Sequence, residues 1–261
     1  MTFEHVLITG ASSGLGRGLA LHYARAGAAV HAVARRLPEL EELARDAAGS
    51  GARGRIVPVP LDVCDAEALA SAVRAAEEAA GGALDLVVAN AGVGGFTSAR
   101  RMDWRLVKRI LDVNVSAAAV TVAAALPAMV ARGRGTVAAV SSLAAFRGLP
   151  RNAAYCASKA ALHTFMESVR LDLRGTGVKA VAIYPGFVRT PMTAGNGFTM
   201  PFLMELDDAV RAMARGIERG EARVSFPLPF AAAVRALGAL PAPVYDALMA
   251  MVPARRGRGG A

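Results

Sequence analysis

The chain has 261 residues, 54% of them hydrophobic and 20% charged, with a formal net charge of +9. Apolar content at that level excludes a disordered chain, and the length suits one large α/β domain. Of the 30 basic residues 27 are arginine, and they are scattered; only 100–109 and 255–258 approach the continuous stripe that a nucleic-acid surface needs, so no nucleic-acid partner is expected.

The elements follow in order. His5–Thr9 is a short apolar run ending at a glycine, which predicts a buried strand. Gly14 to Ala26 carries apolar positions at helical spacing, and Gly27 stops it. Val30–Ala34 predicts a second strand. Pro38 opens a helix that continues through Glu39–Ala48 to Gly49-Ser50-Gly51. Ile56–Val59 predicts a third strand, and Asp65 caps a helix ending at Gly81-Gly82. Leu84–Ala89 is the fourth strand. Asp103 caps a helix through Val113, and an uncharged helix, Val113–Ala131, follows. Thr136–Ser141, Val178–Tyr184 and Arg223–Phe226 read as strands; Ala153–Arg174 and Glu205–Arg219 read as helices.

Alternating strands and helices with continuously apolar strands predict a doubly wound, mostly parallel, seven-stranded Rossmann-type sheet covered on both faces. We expect one domain over 1–226. Beyond it, 227–261 is an apolar extension interrupted by Pro241 and Pro243, then a basic tail that reads as disordered. The alanine-rich Val113–Ala131 segment, with Pro127 inside, reads as a core or interface helix rather than a membrane span. The start, Met1 to His5, has no basic stretch before its short apolar run, so no secretory signal is expected. Cys64 and Cys156 make no disulfide framework, and no metal spacing exists among the cysteines and histidines; a reduced, cytoplasmic setting is expected.

Gly10-Ala11-Ser12-Ser13-Gly14-Leu15-Gly16 joins the first strand to the first helix. Glycines there permit a tight turn and close backbone approach to a pyrophosphate, and the helix N-terminus supplies free N–H groups. The spacing is G-x-x-x-G-x-G, not the general dinucleotide fingerprint.

This loop and the motifs after it resemble the classical short-chain dehydrogenase/reductase family. Asn90-Ala91-Gly92 closes the fourth strand, Asn114 lies in the following helix, and Ser142 ends the fifth strand. Tyr155-Cys156-Ala157-Ser158-Lys159 matches the family's Y-x-x-x-K, and Pro185-Gly186 with Thr190 follows the sixth strand. The resemblance runs from about Val6 to Thr190. It implies Tyr155 as general acid, Lys159 as the group that lowers its pKa and binds the nicotinamide ribose, Ser142 on the substrate carbonyl, and Asn114 holding a water of the proton relay. Ser141 competes with Ser142, and the family's spacing of thirteen residues before the tyrosine selects Ser142. The implied cofactor contacts are Gly10, Ser12, Ser13, Gly14, Leu15, Gly16, Asp62, Val63, Asn90, Ala91, Gly92, Tyr155, Lys159, Pro185, Gly186, Val188 and Thr190. Asn114-Val115-Ser116 also matches a glycosylation sequon, which an intracellular catalytic asparagine outweighs.

The residues themselves support this chemistry. Tyr155 and Lys159, four apart on a helix, share a face. A free tyrosine has a pKa of about 10, and a nearby ammonium is expected to bring it down. At the end of the second strand, where NAD-binding relatives place an acid, stand Ala34, Arg35 and Arg36, so NADP(H) is expected, with Arg35 on the 2′-phosphate; Arg36 has a solvated charge as its competing reading. The segment from Thr190 through Met204, where the resemblance implies the substrate lid, has no charge and is rich in Gly, Met and Phe, which favours a hydrophobic carbonyl or secondary alcohol. Competing readings are a catalytically silent NADP(H)-binding sensor or scaffold, a 3-oxoacyl-thioester reductase, and a peripheral membrane protein whose extension is the working part. The resemblance implies a homodimer or homotetramer, with Val113–Ala131 and Ala153–Arg174 matching the helix pair of the family's common dimer interface. For the extension, core or pocket cover is favoured, with weak membrane contact the alternative, through Phe230, Leu237, Leu240, Met249, Met251 and the terminal arginines.

Overall fold

The computed structural model describes residues 3–195 and 199–251. Seven strands form one sheet: β1 His5–Thr9, β2 Ala29–Ala34, β3 Arg55–Pro60, β4 Leu86–Ala89, β5 Gly135–Val140, β6 Val178–Pro185 and β7 Arg223–Phe226. Their order is β3-β2-β1-β4-β5-β6-β7, and every neighbouring pair is parallel. Successive residues point to opposite faces, and each face has its own apolar layer. Val6, Ile8, Val30 and Val88 pack with helices α1 (Gly14–Ala26), α2 (Leu37–Gly49) and α8 (Leu206–Arg219). Leu7, Val33, Val87 and Ala89 pack with α3 (Ala66–Ala79), α5 (Ala117–Arg132) and α6 (Ala153–Asp172).

Local chemistry sets the helix ends. Asp65 caps α3 by accepting from the Ala68 amide at 3.0 Å. Asp103 does the same for α4 (Trp104–Leu111) through the Arg105 amide at 2.9 Å. Gly27 closes α1 in the left-handed conformation.

The sequence places two helices meeting at Val113, but the chain is helical without a break from Trp104 to Arg132. Nothing between Leu111 and Ser116 stops a helix; the join is one widened π turn, Asp112–Ser116. The helix is apolar enough to cross a membrane by composition, yet Ala117, Ala118, Val122, Ala125 and Met129 lie in the core. After β6 come the short α7 (Pro191–Ala194), α8 and β7, then α9 (Leu228–Gly238) and α10 (Ala242–Ala250), bent 119° apart at Pro241.

The strand order reverses between β1 and β4. Ligands of open α/β sheets bind in the crevice beyond the carboxyl ends of the strands at such a point. The loops after β1, β4, β5 and β6 all open there.

Candidate active site

The loop after β1 is clipped to the loop after β4. Thr9 Oγ1 accepts from the amides of Asn90 and Ala91, both at 3.1 Å. Asn90 Nδ2 donates back to the carbonyls of Thr9 at 2.9 Å and Gly10 at 3.2 Å. Gly10 holds φ +68°, and a Cβ on Gly16 would come within 2.4 Å of both Asn90 Nδ2 and the Gly10 oxygen. Only glycine fits either position. Ser13 caps α1 without using its side chain, and no acid lies in the first turn, so the helix's leading amides face the crevice. Thr190 lies against this loop, its Cβ and Cγ2 both 3.5 Å from the point a Gly14 Cβ would occupy. A cradle of bare backbone closed by threonine and asparagine fits a dinucleotide pyrophosphate.

The end of β2 carries no acid. Arg36 donates to Ser12 Oγ at 3.2 Å and pairs with Glu39 at 2.8 Å, so it belongs to the phosphate loop as well as to solvent. Arg35 reaches toward Asp62 at 3.9 Å, and the Asp62 carboxylate also accepts from the Cys64 amide at 3.0 Å. Val63 beside it is buried.

Four side chains converge where α6 and the widened turn meet the ends of β4 and β5. Ser142 faces the Tyr155 phenol closely enough to oppose the rise of its pKa, and its Oγ accepts from the Ala144 amide at 3.1 Å. Its neighbour Ser141 instead donates to the Lys159 carbonyl at 2.9 Å and ties β5 to α6. Lys159 is buried, with Nζ donating to the Val140 carbonyl at 2.8 Å and lying 5.7 Å from the Tyr155 ring centre. Asn114 is fully buried, its Oδ1 accepting from the Val93 amide at 2.8 Å, its Nδ2 donating to the Val93 carbonyl and to Ser158 Oγ at 3.0 Å each. Asn114 Oδ1 and Lys159 Nζ both lie 3.5 Å from the point where a Cβ on Gly92 would sit, so the missing side chain leaves the two groups one shared space.

The electrostatics differ from the expectation that Lys159 lowers the Tyr155 pKa. Burial pushes the phenol up, and Ser142 opposes that shift. Burial also brings Lys159 down to about 8. Both shifts share one leading cause, partial loss of solvent around the group, which penalises an ion of either sign.

A family model described as short chain dehydrogenase matches residues 4–199. The chain belongs to the short-chain dehydrogenase family. It is 56% identical over 247 residues, 95% of this chain and 96% of the relative, to a Myxococcus xanthus protein described as an uncharacterized oxidoreductase. It is 32% identical to a ketoacyl reductase of Nostoc, covering 78% of this chain and 70% of that one. Among solved structures, a short-chain dehydrogenase from Sphingobium yanoikuyae in complex with NADPH superposes with TM-score 0.80 at 27% identity, covering 99% of this chain and 98% of the other. Family membership makes this chain an oxidoreductase of the nicotinamide-binding short-chain class.

In this dehydrogenase segments far apart in sequence meet beyond the ends of β6 and β7. Gly186 donates to the Phe226 carbonyl at 2.8 Å, and Pro185 pairs with Phe226 across β6 and β7. The segment after β6 is pinned where Arg189 N and Met204 N bond to Met204 O and Phe187 O, both at 2.9 Å, with Val188 buried beneath. Phe187, Phe230 and Phe202 stack at centroid distances of 5.6 and 5.8 Å, joining the segment after β6 to the extension. Lid residues 196–198, including Phe198, and the tail 252–261 with its arginines lie outside the described residues.

Several contributors carry no role in the sequence reading. Thr9 and Ser158 stand inside the quoted motifs and act as bridges between them. Thr97 Oγ1 accepts from the Ala154 amide at 3.0 Å and fixes the start of α6. The extension straps the loop after β5: Tyr245 OH donates to the Gly148 carbonyl at 2.6 Å, and Arg147 donates to the Gly238 carbonyl at 3.4 Å while lying over the Tyr245 ring. Only the isolated tyrosine in an apolar tail hinted at this.

Proposed function

We propose that the protein is an NADP(H)-dependent dehydrogenase/reductase that interconverts a hydrophobic ketone and its secondary alcohol. The observation that carries the cofactor preference is the acid-free end of β2, where Arg35 and Arg36 follow Ala34 and Arg36 bonds Ser12 of the phosphate loop. A guanidinium fork complements a 2′-phosphate, whereas a ribose 2′-hydroxyl calls for a carboxylate. Asp62 and Glu39 each already face an arginine. The NADPH complex of the Sphingobium yanoikuyae relative is in keeping with this reading.

The chemistry supplied by a bound nicotinamide nucleotide is hydride donation to, or acceptance from, the carbonyl carbon. The chain's part is the proton. Ser142 and Tyr155, which face each other, mark the point where a carbonyl oxygen enters, so Ser142 orients that oxygen by a hydrogen bond. Tyr155 gives its phenolic proton to the oxygen on reduction and takes it back on oxidation. A phenol held protonated by burial suits the first direction. Lys159 compensates the phenolate that proton donation leaves, and Asn114 faces the same space from the opposite side for proton resupply. The intact quartet argues against a silent sensor or scaffold. The Nostoc relative keeps a 3-oxoacyl-thioester reductase as the second reading. We read 1–226 as the catalytic unit, with 227–261 as its cover rather than a membrane anchor, in a cytoplasmic protein. That reading follows from Phe230, Tyr245 and Arg235 packing onto Phe187, Gly148 and Ser225.

Arg35→Ala tests the cofactor assignment. A charge-assisted contact contributes about 1.5–3 kcal/mol, so the NADPH KM should rise roughly ten- to a hundredfold, with a smaller change for NADH. Equal changes for both cofactors would contradict it.

A further inference from the structure

A cluster of polar side chains on α6 takes no part in the chemistry described above. His163 follows Lys159 by one turn and Glu167 follows His163 by another, on the same face. His163 Nδ1 lies 2.6 Å from the hydroxyl of Tyr184, a fully buried residue of β6. His163 Nε2 lies 3.4 Å from Glu167 Oε2. The charged groups facing the ring are Glu167 itself, Arg223 of β7, which pairs with Glu167, and Arg235 of α9. A carboxylate only accepts, so the imidazole proton belongs on Nε2, toward Glu167. Nδ1 is then left to accept from the Tyr184 hydroxyl. Burial holds the imidazole pKa below its ordinary range; Glu167 opposes that shift, and Arg223 and Arg235 assist it. Burial also raises the Tyr184 phenol to about 12, so the donor keeps its proton.

This pair supports the turn that presents Ser142. Ser142 opens the turn Leu143–Ala145, accepting from the Ala144 amide at 3.1 Å through Oγ and from the Ala145 amide at 3.0 Å through its carbonyl. Phe146 closes it, its amide donating to the Leu143 carbonyl at 3.3 Å. The Phe146 ring centre lies 5.1 Å from that of Tyr184 and 5.6 Å from that of His163, with the Arg235 guanidinium 5.2 Å away over its face. Phe146 thus rests on two rings whose own relation is fixed by one hydrogen bond. A protonated His163 would present a donor on both nitrogens. The Tyr184 hydroxyl would then have to turn its own proton into the core, where an unpaired donor is costly.

Building on the carbonyl-reductase reading above, we propose that His163 is a positioning residue of the reaction: its neutral imidazole, accepting from Tyr184, fixes the seat of Phe146 and through it the point from which Ser142 meets the substrate oxygen. Protonation of His163 unseats Phe146 and weakens the hydrogen bond that orients the carbonyl. The phosphate loop is held separately, by Thr9 and Asn90, so NADPH binding stays unchanged.

The test follows reduction of 1-phenylpropane-1,2-dione by NADPH between pH 5 and pH 8. Over the same range, nuclear magnetic resonance of the NADP+-bound protein follows the His163 ring and the Ala144 amide. Asn at position 163 places an oxygen near where Nδ1 stood and does not titrate. Between pH 7.5 and pH 5, kcat/KM of wild type should fall roughly tenfold more than that of His163→Asn, the factor one neutral hydrogen bond is worth. The wild-type Ala144 amide should shift with the His163 midpoint, and the NADPH Kd should stay constant. His163→Leu should show the loss already at pH 7.5, and His163→Asn should restore the rate there to within about threefold of wild type. Tyr184→Phe removes the other half of the bond and should give the same loss with no acid limb, which keeps the test open if His163→Leu does not fold. An acid limb that survives in His163→Asn, an Ala144 amide indifferent to the His163 midpoint, or a Tyr184→Phe enzyme with the wild-type profile overturns the proposal. A wild type that binds NADPH but leaves the diketone untouched counts against the hydrophobic-ketone reading instead, and the Ala144 amide still decides the role of His163.

Discussion

Lys159 should cost the folded protein stability at neutral pH, and replacing it should show how much. Its ammonium is buried and its pKa falls from 10.5 to about 8. At 1.36 kcal/mol per pKa unit, keeping it charged in the fold costs about 3 kcal/mol. Lys159→Met keeps a similar shape and removes the charge. It also strips the Val140 carbonyl of its 2.8 Å donor, which returns about 1–3 kcal/mol of the gain. The net effect at pH 7 is therefore a gain of up to about 2 kcal/mol, in an enzyme with no turnover. The sign of the pH dependence is sharper. The unfolded chain holds the lysine proton up to 10.5 and the folded chain only to about 8. Between those values the unfolded state binds more protons, so wild-type stability rises with pH relative to the variant. Below pH 8 the penalty is fully present. Urea unfolding followed by circular dichroism at pH 7 and pH 10 should see the variant's advantage shrink by about 2–3 kcal/mol; ionisation of Tyr155 is common to both proteins and largely drops out of the difference. A stability difference that is the same at the two pH values would refute the reasoning.

Tyr155→Phe should retain NADPH binding, read by fluorescence titration, and lose turnover by roughly a hundred- to ten-thousandfold, because only the proton donor goes; activity within tenfold of wild type would remove Tyr155 from its role. Trp104, Leu111, Val130 and Leu171 are exposed apolar side chains on α4, α5 and α6, so light scattering at micromolar concentration should give a dimer or a multiple of it, and a monomer would reject that interface. Truncation after Phe226 should leave NADPH binding intact and lower substrate affinity or solubility, because the Phe187–Phe230 stack and the Tyr245–Gly148 strap disappear. Should the truncation abolish liposome co-flotation and spare soluble-substrate turnover, the membrane reading of the extension would replace the cover reading.

The near half of the site was legible because its signals are local. The apolar run, the glycines and Gly27 delimit β1, the phosphate loop and α1 at the residues observed, and the Tyr155–Lys159 spacing fixes their shared face. The widened turn at Asn114 was not legible, since Asp112 to Ser116 reads as ordinary helix and its distortion depends on what Asn114 bonds across the crevice. Nor was the direction of the Tyr155 shift, because sequence shows that a lysine is near but not how much solvent the phenol loses. The strap from Tyr245 to Gly148 spans 97 residues and leaves no periodic trace.

The widened turn also bears on how this chain tolerates changes of length. Surface loops accept a gained or lost residue at little cost. Inside a helix one residue corresponds to about a hundred degrees of rotation. Deleting any residue of Asp112–Ser116 would let the 29-residue helix close into regular α-helix throughout, a better helix by its own hydrogen bonds. It would also turn either Asn114 away from Val93 and Ser158 or the Ala117–Met129 face away from the core. At this turn the length of the chain is therefore as constrained as the Asn114 side chain that the turn presents.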